Sequence, residues 1–234
     1  MLTLFTMHGS SAVRCFSPFA YKAEALLALS GADYQLEYVG DFSTLPNGKI
    51  PVLKDGKKLI ADSELIKAYL VEHFSLDIDR TLTAEQQAIA QAFRVMLEER
   101  TYWAGVYARF LDPAGEDFVL NEMFGGVPVE VKTEIVKAMR ETLRQEMVGH
   151  GIGRHSKAQI YAFAQADVEA VLQFMGDKDF FFGNEPTTID ATIASLFANW
   201  LAGDFDWALG NFIKTQPQIA EYVKRFERVV FGGK

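Results

Sequence analysis

Strand-like alternation is confined to the first third of this chain, and beyond about residue 75 every apolar pattern has helical spacing. Residues 2–7 (LTLFTM) read as a strand, and 18–30 (PFAYKAEALLALS) as a helix opened by Pro18 and stopped by Gly31. Strand-like segments follow at 34–39, 51–54 and 57–60, the last two joined by Asp55-Gly56, a dipeptide suited to a two-residue hairpin turn. Residues 63–74 carry apolar side chains at 65, 66, 69, 70 and 74, which is helical spacing. The order is β-α-β, then β-β-α. A polar stretch, SLDIDRTLTAEQQ, separates this part from helical patterns at roughly 84–111, 128–149, 156–175, 187–203 and 216–229. Between 112 and 127 a Gly-rich segment with a proline breaks the long helices into an up-and-down arrangement. The expected organisation is an α+β unit over residues 1–75, a linker at 76–84 and an all-α helical bundle over 85–234.

Composition narrows the function classes. Of the 234 residues 49% are hydrophobic and 23% charged, enough apolar material for two modest cores. The formal charge of −8, with no basic cluster beyond pairs such as Lys57-Lys58, gives no electrostatic footprint for nucleic acid. The first residues lack the pattern of a signal peptide and no 18-residue apolar run occurs, so a cytoplasmic protein with no membrane contact is expected. Cys15 is the single cysteine, which removes an intrachain disulfide, a CxxC redox pair and a cysteine-based zinc site. The four histidines, at 8, 73, 150 and 155, have no metal-ligand spacing, so no metal is expected.

Chemistry concentrates after the first strand, at Cys15-Phe16-Ser17-Pro18-Phe19-Ala20. The element order resembles a thioredoxin-like domain, and in glutaredoxins the corresponding place reads CPYC. Aligned on the proline, Ser17 and Ala20 stand where the two cysteines would be, which closes thiol–disulfide exchange by that route. What remains is a helix N-terminus, whose unpaired N–H groups and partial positive charge favour an anion. A serine hydroxyl there can donate to a thiolate. Lowering a thiol pKa from about 8.5 by about two units needs roughly 2.7 kcal/mol, the order of one charge-assisted hydrogen bond plus the helix end. The structural alternative is a serine N-cap before a proline at the first helical position.

The segment NGKIPVLKDGKKLIADSELI (47–66) resembles the glutathione-binding half of the glutathione S-transferase superfamily. The resemblance implies a cis-proline at Pro51, preceded by Ile50, with the N–H and C=O of Val52 pairing strand-like with the cysteinyl unit of glutathione. It places Asp62 against the γ-glutamyl ammonium, Ser63 at the γ-glutamyl carboxylate as N-cap of the next helix, and Lys49 at the glycyl carboxylate. Only Gly40 to Gly48 separates Val39 from Lys49, so the superfamily's second helix barely fits. SPF together with KIPVL is similar to the plant tau class, whose catalytic serine stands in an SPF motif. ERTYWAGVYARF (99–110), LNEMFGGVP (120–128) and GHGIGRHSKAQI (149–160) resemble the failed-axon-connections and metaxin-like branch. The resemblance implies glutathione as co-substrate, Ser17 as the thiolate-stabilising residue, a homodimer, and conjugation or reduction of a small electrophile in detoxification. Its alternative is a glutathione-binding or adaptor module without turnover.

Within 84–111, Tyr102, Val106 and Arg109 share a helix face with Trp103, Tyr107 and Phe110 alongside. Phe19, Tyr102, Trp103, Arg109 and His155 are the candidates for an electrophile pocket with aromatic walls and one cation, against the alternative of core packing around a snorkelling arginine. Arg154 and His155 also suit a helix-entry contact ahead of Ser156. Thr187 and Asp190 have capping-box spacing, a folding role. Cys15, two residues before Ser17, reads as a half-buried inert thiol, with a mixed disulfide with glutathione as the other possibility.

Overall fold

A computed structural model describes residues 1–74 and 76–232; residue 75, the expected end of the first unit, and residues 233–234 of the expected second unit lie outside the described residues. Four strands, β1 (Leu2–Thr6), β2 (Tyr34–Tyr38), β3 (Val52–Asp55) and β4 (Lys58–Ala61), form one mixed sheet in the order β2-β1-β3-β4. β1 runs parallel to β2 and antiparallel to β3, and β3 is antiparallel to β4. α1 (Pro18–Ser30) crosses between β1 and β2, and α2 (Ser63–Phe74) closes the unit. This is the expected thioredoxin-like arrangement. Gly31 ends α1 with a left-handed φ of 68°, a conformation that its missing Cβ makes easy.

The helical unit follows. α3 (Ala84–Val95) continues through a wide-turned π segment (Met96–Thr101) into α4 (Tyr102–Val106) and a second π segment (Tyr107–Leu111). The expected helix at 84–111 is therefore continuous, with two widened turns that its apolar periodicity did not reveal. The segment expected to be a plain break holds the short α5 (Glu116–Phe118) and a third π segment (Val119–Met123). α6 (Val129–His150), α7 (Lys157–Met175), α8 (Thr188–Leu201), α9 (Ala208–Lys214) and α10 (Pro217–Phe231) complete the unit, α9 being an addition to the sequence reading. Among the described residues no helix is long and apolar enough to cross a membrane.

α1 is buried on every side over residues 20–27 because the sheet and α2 cover one flank while α8 and α10 cover the other. One polar cluster ties the two units together there, and a second braces the helical unit from within. Lys22 of α1 reaches Glu64 of α2 and Glu98, each at 2.5 Å, and Glu98 also accepts from Arg94 and Thr192. At the start of α8, Asp190 accepts from the N–H groups of Phe181 and Thr187 and from the Thr187 hydroxyl, each at 2.8 Å, and from the Tyr222 hydroxyl at 2.7 Å. Asp190 thus performs the expected capping role and also anchors α10. Gly105 lets α4 approach α8, since a Cβ there would stand 2.6 Å from the Trp200 indole nitrogen.

Candidate active site

Strand register assembles the site. Phe5 pairs with Val52 and Val52 with Ala61, so the end of β1, the start of β3 and the end of β4 lie side by side. The chain leaving β1 and β4 and entering β3 at those ends supplies Ser17, Asp62-Ser63 and Ile50-Pro51, residues far apart in sequence brought to one end of the sheet.

Ser17 is the N-cap of α1: its Oγ accepts from Ala20 N–H at 3.2 Å, and Pro18 takes the first helical position, where no N–H is needed. Because Oγ acts as acceptor toward the helix, its hydrogen is left for a partner outside it. Ser17 is half-buried. Cys15 behaves differently. At 1% exposure it is buried rather than half-buried, its Sγ lies 3.4 Å from both Thr6 Oγ1 and Ser17 N, and burial pushes its thiol pKa up.

The Ile50-Pro51 peptide is cis, as the resemblance implied. Two expectations around it need correction. Val52 is not available for strand-like pairing with a ligand, because β3 is central and Val52 sits in the ladder between Phe5 and Ala61. Ile50, one peptide before the cis bond, is half-buried, and its backbone N–H and C=O have no partner among the described residues. The free pairing edge is therefore Ile50. Nor is Ser63 the N-cap of α2. Asp62, with φ of 86°, caps the helix by accepting from Glu64 N at 2.8 Å and Leu65 N at 3.4 Å, while Ser63 is the buried first helical residue. A one-residue shift suffices because aspartate and serine are both good caps and aspartate tolerates a positive φ.

Lys49 is exposed, with its ammonium 3.9 Å from Glu146 of α6. Phe19 and Tyr102 pack edge-to-face at 4.8 Å between ring centroids, Trp103 lies 5.7 Å from Tyr102, and His150 lies 5.2 Å from Trp103. These rings form one aromatic wall that starts two residues from Ser17. His155 belongs elsewhere: it packs edge-to-face on Phe163 and lines an open apolar cleft of about 610 Å³ that contains none of Ser17, Phe19 and Tyr102.

Arg109 also departs from expectation. Its side chain is 8% exposed and donates to the Phe16 carbonyl at 2.9 Å, and to the Asn199 carbonyl and Oδ1 at 2.8 and 3.0 Å. Desolvation lowers its pKa to about 10, with Tyr102 and Cys15 opposing. The guanidinium is held in the joint between the units instead of facing a co-substrate. Asn199, which the sequence reading passed over, donates to the Cys15 carbonyl at 3.1 Å and to the Ser195 carbonyl at 3.0 Å. Its signal was present: one amide in the otherwise apolar run LFANWL must find partners once the helix is buried.

A thioredoxin-like unit feeding a helical bundle, with an N-capping serine and a cis-proline at their junction, defines a protein of the glutathione transferase fold. The chain belongs to the glutathione S-transferase superfamily: the Glutathione S-transferase N-terminal domain model matches residues 18–115 and the Glutathione S-transferase, C-terminal domain model matches residues 164–226. It is 28% identical over 236 residues to the isoprene-epoxide–glutathione S-transferase of Rhodococcus sp. (strain AD45), spanning 97% of this chain and 98% of that one. It is 25% identical over 244 residues to Failed axon connections of Drosophila melanogaster, spanning 99% of this chain and 58% of that protein. Among solved structures, a glutathione S-transferase of Methylobacterium radiotolerans in complex with glutathione sulfonate shares the fold with a TM-score of 0.61, at 16% identity over 97% of this chain and 90% of the other.

Proposed function

We propose that the protein is a serine-type glutathione transferase, in which Ser17 stabilises the glutathione thiolate for attack on a small electrophile. The observation that carries this reading is the geometry of Ser17: its oxygen caps α1 through Ala20 N–H, which leaves the hydroxyl hydrogen to donate to a sulfur beside the N-terminus of a 13-residue helix. Ile50 offers a free backbone edge to the cysteinyl unit, and Asp62 and Ser63 stand at the start of α2 for the γ-glutamyl end. Lys49 is the cation for the glycyl carboxylate. Phe19, Tyr102 and Trp103 supply the wall for the electrophile. In the reaction the thiol proton leaves to solvent and a carbon–sulfur bond forms while a leaving group departs with its bonding pair, or an epoxide carbon–oxygen bond breaks and the freed oxygen takes a proton from solvent. Similarity to the Rhodococcus transferase, whose name gives an epoxide as its substrate, makes a small epoxide the first electrophile to try.

Calorimetric titration with glutathione is the first test, and absence of binding at millimolar ligand refutes the proposal. Ser17→Ala is expected to lower the rate about tenfold to a hundredfold, one charge-assisted hydrogen bond being worth about 1.5–3 kcal/mol, with a smaller change in binding. Loss of activity in Cys15→Ala with Ser17→Ala intact would replace the serine by the cysteine. Similarity to Failed axon connections along nearly the whole chain supports a second reading, a glutathione-binding or adaptor module of the metaxin-like type without turnover. Binding without turnover of any epoxide, aryl halide or disulfide would favour it.

A further inference from the structure

The chain between β1 and α1 ends in two consecutive peptides, Cys15 and Phe16, whose carbonyls point into the helical unit. Each is held by a side chain from that unit. Asn199 of α8 donates to the Cys15 carbonyl and Arg109 donates to the Phe16 carbonyl. The two side chains are themselves joined, because Arg109 donates to both oxygens of Asn199. The group is thus one connected unit, and it is dry: Asn199 is 1% exposed, Phe16 3% and Arg109 8%. The next residue is Ser17.

Two features separate this arrangement from ordinary core packing. First, a buried guanidinium normally faces a carboxylate, which offsets its desolvation. Among the described residues no carboxylate is bonded to Arg109; its partners are carbonyl and amide oxygens. An uncompensated positive charge therefore lies directly behind the N-terminus of α1, where it adds to the helix field. Second, the contacts fall on backbone atoms one and two residues upstream of a side chain whose aim matters. Fixing the Phe16 carbonyl fixes the plane of the peptide that carries the Ser17 N–H. The Ser17 N–H is in turn directed at Cys15 Sγ.

We propose that Arg109 and Asn199 are positioning residues for Ser17: from the helical unit they lock the Cys15 and Phe16 peptides and so set the direction of the Ser17 hydroxyl, while the Arg109 charge favours an anion at the same helix end. The inference rests on the reading of Ser17 as the thiolate partner. It makes thiol ionisation in the first unit depend on two residues of the second, neither of which touches the ligand.

The test follows ionisation of the bound glutathione thiol by the ultraviolet absorbance of the thiolate against pH, in full-length wild type, Ser17→Ala, Arg109→Lys and Asn199→Ser. Calorimetry with S-methylglutathione, which has no ionisable thiol, measures binding of the rest of the peptide. Arg109→Lys and Asn199→Ser are each expected to raise the bound thiol pKa by about one unit, a tenfold fall in its acid dissociation constant, with S-methylglutathione affinity kept within about threefold. A purely structural role would lower both ligands' affinity together or change neither. If Ser17→Ala raises the thiol pKa while both other variants, folded, leave it unchanged, the positioning role is overturned and the serine reading stands. If Ser17→Ala also leaves it unchanged, or wild type does not bind glutathione, both fall. Should Arg109→Lys fail to fold, Asn199→Ser carries the same expectation and the same refutation, since it removes the bond to Cys15 and keeps the Arg109 bond to Phe16.

Discussion

Replacing Asp190 by alanine should be among the most destabilising single changes in the chain. The carboxylate is 0% exposed and accepts four hydrogen bonds, two from backbone N–H groups and two from hydroxyls. The Thr187 and Tyr222 hydroxyls can rotate toward other acceptors, but the Phe181 and Thr187 N–H groups are fixed by the backbone. Each buried N–H left without a partner costs about 1–3 kcal/mol. Loss of the cap at the start of α8 adds about 1 kcal/mol, which gives a total of about 3–7 kcal/mol. Burial raises the Asp190 pKa while the N–H and O–H donors oppose it, so removing the charge itself returns a part of this, and about 4 kcal/mol is the expectation. Asp190→Asn keeps one acceptor but turns an NH₂ toward two donors, and should cost about half as much. Urea unfolding read by the fluorescence of Trp200 and Trp207, both buried near α8, measures the change. With a slope of about 3 kcal/mol/M, the Asp190→Ala midpoint should fall by about 1.3 M. A loss below about 1 kcal/mol would refute the reasoning, because it would mean that the N–H groups recover partners without the carboxylate.

Lys22→Met should cost about 3–5 kcal/mol in urea unfolding by leaving Glu98 and Glu64 without their shared ammonium; adding Glu98→Gln should recover part of that loss, and a double variant no better than the single would contradict it. At Asp112 burial pushes the carboxyl up, but hydrogen bonds from Lys157, Tyr161 and Ala114 N–H prevail and hold its pKa below the ordinary value. Its contribution is therefore present above pH about 4 and lost as pH falls through the lowered folded pKa, so the stability gap to Asp112→Asn should be flat from pH 5 upward and shrink toward pH 3. A homodimer is expected from the superfamily, in keeping with exposed Leu65, Val71 and Leu59 on α2 and β4; light scattering should return about twice 26.2 kDa, and a single 26.2 kDa species at micromolar concentration would contradict it.

The elements of the first unit were legible because local chemistry fixes them. Pro18 and Gly31 bracket α1 at the residues the structure shows, and the Asp55-Gly56 signal finds the β3–β4 hairpin one residue early: Asp55 ends β3 opposite Lys58, and the turn residues are Gly56 and Lys57. Ser17 was legible for the same reason, since a cap followed by proline is a local signal. The cap of α2 slipped by one residue because Asp62 and Ser63 are both good caps; the errors at Val52 and Arg109 required knowledge of neighbours. Whether Val52 or Ile50 offers a free edge depends on β1 and β4 flanking β3, which no local pattern encodes. Tyr102 and Arg109 lie on one helix face as read, yet the face divides: the Tyr102 ring meets Phe19, while Arg109, in the wide-turned segment Tyr107–Leu111, reaches the backbone of the other unit. Wide turns leave apolar spacing nearly intact, so the sequence carries little trace of them. Asn199 and Lys22 were readable only by asking what a polar group does inside a buried helix.

The boundary near residue 75 divides topology more cleanly than it divides stability. A unit that folds alone presents a polar outer surface, yet α1 is buried on both flanks, and its second flank is covered only by helices that come after residue 84. Cutting the chain at residue 74 would uncover that flank and separate Lys22 from Glu98. It would also release the Cys15 and Phe16 carbonyls from Asn199 and Arg109. The sheet would keep its register, but the helix that carries Ser17 would lose the packing and the hydrogen bonds that orient its N-terminus. A fragment of residues 1–74 is therefore expected to show weak amide-exchange protection in α1 and no measurable shift of a glutathione thiol pKa. Full protection of α1 in that fragment would show that the helical unit only borders the site. Loss of protection in α1 with the strands retained would place the origin of the site's order in the second unit, although the residues proposed to touch glutathione all stand in the first.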